Sequence, residues 1–162
     1  MVTVLVAGPV DINNSVFKNN TAVKGGGVYT LHLQATNNLI VNNSDGIHIY
    51  YGDEHMIVNN VFINNNNVDI NITNSAIATI KNNYLDTNNI YGSHFKSSNI
   101  FMGVTLDFIN EANNNYHLAS SSDLIDAGTT DIDNFIFPSL DIDGNPRILG
   151  SRIDIGPYEF QN

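Results

Sequence analysis

Along the first two thirds of the chain, short apolar runs alternate with pairs of asparagine. The phrase reads N-N-S-V-F-K-N-N from Asn13, N-N-L-I-V-N-N from Asn37, N-N-V-F-I-N-N from Asn59 and N-N-Y-L-D-T-N-N from Asn82. Aligned on their apolar centres, Phe17, Ile40, Phe62 and Leu85 stand 23, 22 and 23 residues apart. A unit this small cannot bury its own apolar face, so the period means stacked repeats that share one core. Leucine-rich units would place Leu at most structural positions, and helical repeats would show a longer period rich in Ala, Leu and Glu; neither pattern is present. The runs are instead rich in Val, Ile, Phe, Tyr and Thr and are separated by Asn, Gly, Ser and Asp, the composition of strands and tight turns. The expected fold is all-β, a solenoid of parallel strands with coils of about 22–23 residues. Asparagine suits its corners because it tolerates the left-handed conformation, and its amides can ladder between coils about 4.8 Å apart.

Alternation within the coils predicts which side chains face in. Ile47, Ile49, Ile70 and Ile72 are expected in the core, leaving His48, Tyr50, Asp69, Asn71 and Thr73 outward. In the next coil Gly92, His94 and Lys96 occupy the corresponding outward positions by the same count. His48, Asn71 and His94 follow one another at steps of 23, as do Tyr50, Thr73 and Lys96. Both triplets are therefore expected to stack as columns. Gly25, Gly26 and Gly27 predict a tight turn pressed against the stack, and without a following helix or Lys-Ser/Thr they do not form a phosphate cradle.

Val2, Val4 and Val6 read as a strand stopped by Gly8 and Pro9. No polar cap precedes it, so the sequence reads as the C-terminal part of a longer protein whose open N-terminal end would let copies associate. The repeat stops near Thr105. The chain thus divides into coils over 1–104 and an irregular closing segment over 105–162 that is expected to cover the last rung, the whole being one domain.

Composition narrows the partners. The 162 residues carry 6 Lys plus Arg against 16 Asp plus Glu, a net charge of −10, which argues against nucleic acid and against anionic membrane. Cysteine is absent, excluding disulfides and thiolate metal sites. No stretch approaches the roughly 20 apolar residues of a membrane span, and no membrane insertion is expected.

The closing segment carries Y-H-L from Tyr116, D-L-I-D-A-G from Asp123, D-I-D-G-N-P-R from Asp141 and D-I-G-P-Y-E-F from Asp154. This ordered set, over about residues 107–161, resembles the C-terminal region of the choice-of-anchor Q domain proteins, bacterial right-handed parallel β-helices of the pectate-lyase-like group. Asp123-Leu124 and Pro157 depart from the usual pattern at positions that read as loops. F-K-N-N with G-G-G-V also resembles the paired motifs of polymorphic outer-membrane proteins. The resemblance implies a right-handed parallel β-helix, secreted or on the bacterial cell surface and often associated with polysaccharide. It implies no particular reaction.

Catalytic chemistry finds little support. A calcium-dependent lyase needs converging carboxylates and a base, yet Arg147 and Arg152 fall in the closing segment and Lys96 is the one base near the outward face of the middle coils. A glycoside hydrolase needs carboxylates about 5–9.5 Å apart across the scissile bond, and Asp69 stands alone while Asp53 and Glu54 are adjacent in a turn. Asp141-x-Asp143-Gly144-Asn145 leaves calcium open as a cofactor, but such a phrase is more often a turn bonded to its own backbone. Asp126, Arg147, Asp154 and Glu159 read as hydrogen-bonded closure pairs. The expectation is a structural or glycan-binding module, with a polysaccharide lyase or hydrolase as the alternative. Its partner would be a polysaccharide or cell-surface glycan, neutral or amino, held by His48, Tyr50, Asp69, Asn71, Thr73, His94 and Lys96 with Asp45 nearby.

Overall fold

The computed structural model describes residues 5–86, 89–97, 99–101, 104–133 and 135–161, with main chain alone at 5–8, 94–97 and 100–101. It is a parallel β-solenoid of about four turns. The first coil holds β1 (Leu5–Asn13) and β2 (Val16–Lys18), and the second holds β3 (Val28–Thr36) and β4 (Leu39–Val41). In the third coil the long strand splits into β5 (Ile47–Ile49) and β6 (His55–Val58), followed by β7 (Val61–Ile63). The fourth repeats this as β8 (Ile70–Ile72), β9 (Ile77–Lys81) and β10 (Tyr84–Leu85), and the last as β11 (Ile90–Tyr91), β12 (Ser93–Ser97) and β13 (Ile100–Phe101). A short antiparallel pair, β14 (Phe108–Asn110) and β15 (Asn115–Leu118), opens the closing segment.

The strands make two faces. One sheet runs β11-β8-β5-β3-β6-β9-β12 with β1 on β3, and the other runs β13-β10-β7-β4-β2. In the second sheet Phe17 pairs with Ile40, Ile40 with Phe62, and Phe62 with Leu85, the register that the sequence spacing predicts. Ile40, Phe62 and Leu85 project inward onto Leu33, Ala35, Ile47, Ile49, Ile57, Ile70, Ile72 and Ile80, all buried. Each such isoleucine contributes about 1.5–3 kcal/mol, so the core exists only as a stack.

Two asparagines turn the corner into the second sheet in the second, third and fourth coils. Asn37, Asn59 and Asn82 take the left-handed conformation, with φ of 56°, 59° and 56°. The asparagine after each carries the ladder. Asn60 Oδ1 accepts from the Asn38 backbone N–H at 3.0 Å and from Asn38 Nδ2 at 2.9 Å, and Asn83 Oδ1 takes the same two bonds from Asn60 at 2.9 and 3.0 Å. Asn20, Asn43 and Asn65 repeat this at the next corner. At Gly25 φ is +55°, and a Cβ on Gly27 would meet the Gly46 carbonyl at 2.8 Å, which is the close approach expected of the glycine run.

Two expectations change. β1 continues through Gly8 and Pro9 instead of stopping there, because its register with β3 shifts between Val6 and Pro9; such a bulge accommodates a residue without an N–H. The closing segment, expected over the last rung, lies along the outer side of the second sheet. There Tyr116, Leu118, Leu124 and Ile155 pack on Leu39, Val41, Val61, Ile63 and Tyr84. Its anchors reach back across the coils. Asn14 donates to the Leu140 carbonyl at 3.2 Å, Asn59 to the Asp154 carbonyl at 3.0 Å, and Asn82 to the Thr129 carbonyl at 2.6 Å.

Asn60→Ala removes an acceptor that serves two donors and a donor to the Ala35 and Val58 carbonyls. Buried groups left unpaired cost about 1–3 kcal/mol each, so the substitution is expected to lower stability in urea unfolding by about 3 kcal/mol or more. Exposed Asn42, whose φ is 56°, should tolerate Gly with a change below about 1 kcal/mol. Equal effects at the two positions would contradict the ladder's role.

Candidate functional site

The outer face of the first sheet is organised by its register. Tyr29 pairs with His48, His48 with Asn71, and Asn71 with Tyr91. Three rung spacings of about 4.8 Å make this column about 14 Å long. Tyr91 is 58% exposed at one end, Tyr29 is half-buried at the other, and Asn71 is half-buried between them. Beside the column stand Tyr50, 41% exposed, and half-buried Thr73. The Tyr29 ring meets His48 edge-on at 5.0 Å and Tyr50 at 6.3 Å, and exposed Lys24 places its Nζ 5.9 Å from the centre of the Tyr50 ring.

His48, expected outward and available, is instead 2% exposed. Its Nε2 lies 3.3 Å from Thr73 Oγ1, and that hydroxyl donates to the Ile49 carbonyl at 3.2 Å. The network therefore assigns the proton of neutral His48 to Nε2. Burial, reinforced by Lys24 and opposed by Asp45, lowers the pKa of the ring. His48 acts here as a support for Tyr29 and Thr73.

Asp45 and Asp69 do not face a ligand. Asp45 Oδ2 accepts from the Gly25 N–H at 3.2 Å and its Oδ1 from Asn67 Nδ2 at 3.0 Å, while fully buried Asp69 accepts from Asn65 Nδ2 at 3.1 Å. Both carboxylates hold corners, so the expected grip on a cationic amine has no donor-free acid there. The expected columns also break in the last coil. His94 pairs with Ala78 and Lys96 with Ile80, both buried core positions, and the side chains of His94 and Lys96 lie outside the described residues. The residues missed by the count were Tyr29 and Tyr91. Their signal was the apolar residue just before each, Val28 and Ile90, which fall in line with Ile47 and Ile70 at steps of 19 and 20 that a fixed step of 23 passes over.

The closing segment gathers Asp141, Arg147, Asp154 and Glu159, each 3% exposed. Arg147 Nη2 donates to the carbonyls of Asp154 and Gly156 at 2.8 and 2.6 Å, and its Nε lies 3.5 Å from Glu159 Oε2. Asp141 Oδ1 accepts from the backbone of Asp143 and Asn145 at 2.9 and 2.8 Å, the self-bonded turn that the sequence suggests. Asp154 accepts from the backbone N–H groups of Asp126 and Phe160 at 2.6 and 2.7 Å. These acids knit the segment and are closed to a polymeric substrate. Among the described residues no three His, Asp or Glu side chains are placed to hold a metal ion.

The recesses among the described residues lie away from the aromatic column. One of about 450 Å³ is lined by Lys18, Asn42, Asn64, Glu111 and Tyr116, and one of about 310 Å³ by Phe137, Pro138, Pro146 and Ile148. The column itself is open and extended, a shape for a chain laid across it and not for an enclosed small molecule.

Glu159 is the acid in the cluster with an oxygen, Oε2, that lacks a hydrogen bond. Burial pushes its pKa up from 4.5 to about 8, against the pull of Arg147. Between those values the folded chain holds a proton that the unfolded chain releases, so this group's contribution to stability is complete below about pH 4.5 and is lost as pH rises through about 8. Glu159→Gln should match wild type in melting temperature in acid and exceed it above about pH 8. A constant difference between the two across this range would show that Glu159 does not titrate so.

No family model, no curated protein and no solved structure matches this chain.

Proposed function

We propose that this chain is a glycan-binding β-solenoid module of a secreted or cell-surface bacterial protein, and that the polymer lies along the outer face of the first sheet. The observation that carries this reading is the in-register column from Tyr29 to Tyr91, with Tyr50 beside it. Sugar rings present C–H faces that pack on aromatic rings, and their hydroxyls pair with amides and hydroxyls such as Asn71 and Thr73. A column about 14 Å long suits two to three sugar units, using about 5 Å for each. The net charge of −10 disfavours polyanions, and with Asp45 and Asp69 engaged elsewhere the amino glycan loses its anchor. A neutral or N-acetylated glycan remains the class that fits.

The test is a glycan array followed by titration calorimetry. Tyr91→Ala and Asn71→Ala should each weaken binding of the retained glycan, Tyr91→Ala by about tenfold, equivalent to about 1.4 kcal/mol. Gln34→Ala, exposed on the other half of the sheet, should leave binding unchanged. A glycan bound equally well by the Tyr29→Ala, Tyr91→Ala double variant would place its site elsewhere. Release of reducing ends or unsaturated products by wild type would replace binding with catalysis.

A further inference from the structure

His55 opens β6 directly after the loop 50–54, and it is fully buried. Its Nδ1 accepts the Leu33 backbone N–H at 3.1 Å, so an imidazole stands where the parallel ladder would otherwise supply a carbonyl. An Nδ1 that accepts this bond has no room for a proton, and the neutral ring therefore carries its hydrogen on Nε2. That Nε2 is buried and meets no acceptor at full hydrogen-bond geometry, although the carbonyls of Gly52 and Tyr51 lie close to the ring. The His32 ring lies 5.4 Å away with its own Nδ1 buried and unpartnered.

The loop wraps over this ring. Gly52 has φ of +104°, and a Cβ there would meet the Leu31 carbonyl at 2.9 Å and His55 Nε2 at 3.4 Å. Tyr50 donates its N–H to the Thr30 carbonyl at 3.0 Å, and the Gly52 carbonyl accepts from the Ile77 N–H at 3.2 Å. Several groups act on a proton at His55. Burial opposes it most strongly and His32 on β3 also opposes it, while Asp53 and the carbonyls of Gly52 and Tyr51 on the loop favour it. From β9 the facing residue is Ala78, which does not titrate. Glu54, exposed and with φ of 63°, joins the loop to the ring.

We propose that His55 is an acid-released latch: when its Nδ1 takes a proton the Leu33 bond is lost, and the loop 50–54 leaves the face with Tyr50. A protonated Nδ1 points a hydrogen at the hydrogen of Leu33, and the interior holds no counter-charge for the cation. The imidazolium is stabilised outside, by water and by exposed Asp53. The way out is through the loop that lies over Nε2, since His32 on β3 and Ala78 on β9 flank the ring. In the released state Tyr50 no longer meets Tyr29 or Lys24, so the face is assembled above the transition and dismantled below it. The latch stands whether or not this face takes a glycan, because its test needs no ligand.

The experiment is amide exchange of wild type from about pH 8 to about pH 5, the range in which histidines titrate, corrected for intrinsic exchange. The opening constant at Leu33 should rise on acidification by up to about tenfold per pH unit. The His55 Cε1–H and Tyr50 ring resonances should shift with one midpoint. His55→Asn keeps an acceptor, Oδ1, in the position of Nδ1 but cannot titrate, so its Leu33 protection should be independent of pH. A flat Leu33 profile in wild type, a pH step that survives in folded His55→Asn, or Tyr50 resonances that do not follow His55 would each overturn the latch. Should His55→Asn fail to fold, the shared or separate midpoints in wild type decide the matter.

Discussion

The structure depends on a buried amide. Where asparagine stacks on asparagine, an Oδ1 accepts two N–H bonds from the preceding coil, and the same side chain's Nδ2 satisfies carbonyls beside it. A corner turned by glycine would supply the backbone conformation but leave these buried N–H and C=O groups unpaired, a cost that accumulates with every coil. A corner turned by serine would reach fewer partners. Asparagine supplies a left-handed backbone at the first position of each pair and a bidentate link at the second. This is why it recurs in pairs and why the pairs keep the period of the core.

At three of the corners the left-handed asparagine has a further task. Asn14, Asn59 and Asn82 send their amides outward to carbonyls of the closing segment, so one row of corner residues both bends the coil and fixes the strap to it. The strap buries the outer side of the second sheet and, through Phe135, Ile136 and Pro138, reaches the first beside Gln34 and Thr36, leaving open the half of the first sheet that carries Tyr29 to Tyr91. The buried cluster around Arg147 holds the strap's own turns in shape. The proposed glycan site is thereby confined to one side of the solenoid by the way the other side is covered.

Much of this was legible in the sequence. The apolar centres predict the register of the second sheet, because a corner that must ladder cannot change length without losing its bonds. Alternation places Ile47, Ile49, Ile70 and Ile72 in the core, where they are found. The strap's position had a signal too: Leu39-Ile40-Val41 and Val61-Phe62-Ile63 are apolar without alternation, and all six are buried, which marks strands covered on both faces. The outward columns were misjudged for a physical reason. Between the halves of the split strands the chain inserts 50–54, then 73–76, then Gly92 alone. The sequence from Leu85 to Ile90 is three residues shorter than that from Phe62 to Ile70, so Tyr91 takes the place opposite Asn71, and the reduction of the next insert to Gly92 sets His94 opposite Ala78. Asp45 and Asp69 were beyond reach of the pattern, since alternation applies to strands and both sit at corners where a carboxylate caps donors.

The same loops explain why the candidate face lies on one half of the first sheet. β3 runs unbroken, and the coils stacked on it must expel their extra residues outward, because the core has no space for them. The loop 50–54 and the turn 73–76 therefore rise beside the column from Tyr29 to Tyr91 and bring Tyr50 and Thr73 to its flank. The column is held by the ladder and the coil core, elements that yield only with the whole stack, whereas the flank is held by a few local bonds, among them the one through His55. A rigid row beside an adjustable wall allows the two to serve different ends. In the function proposed above, the row would set which spacing of sugar rings is read, and the wall, through the proposed latch, when it is read.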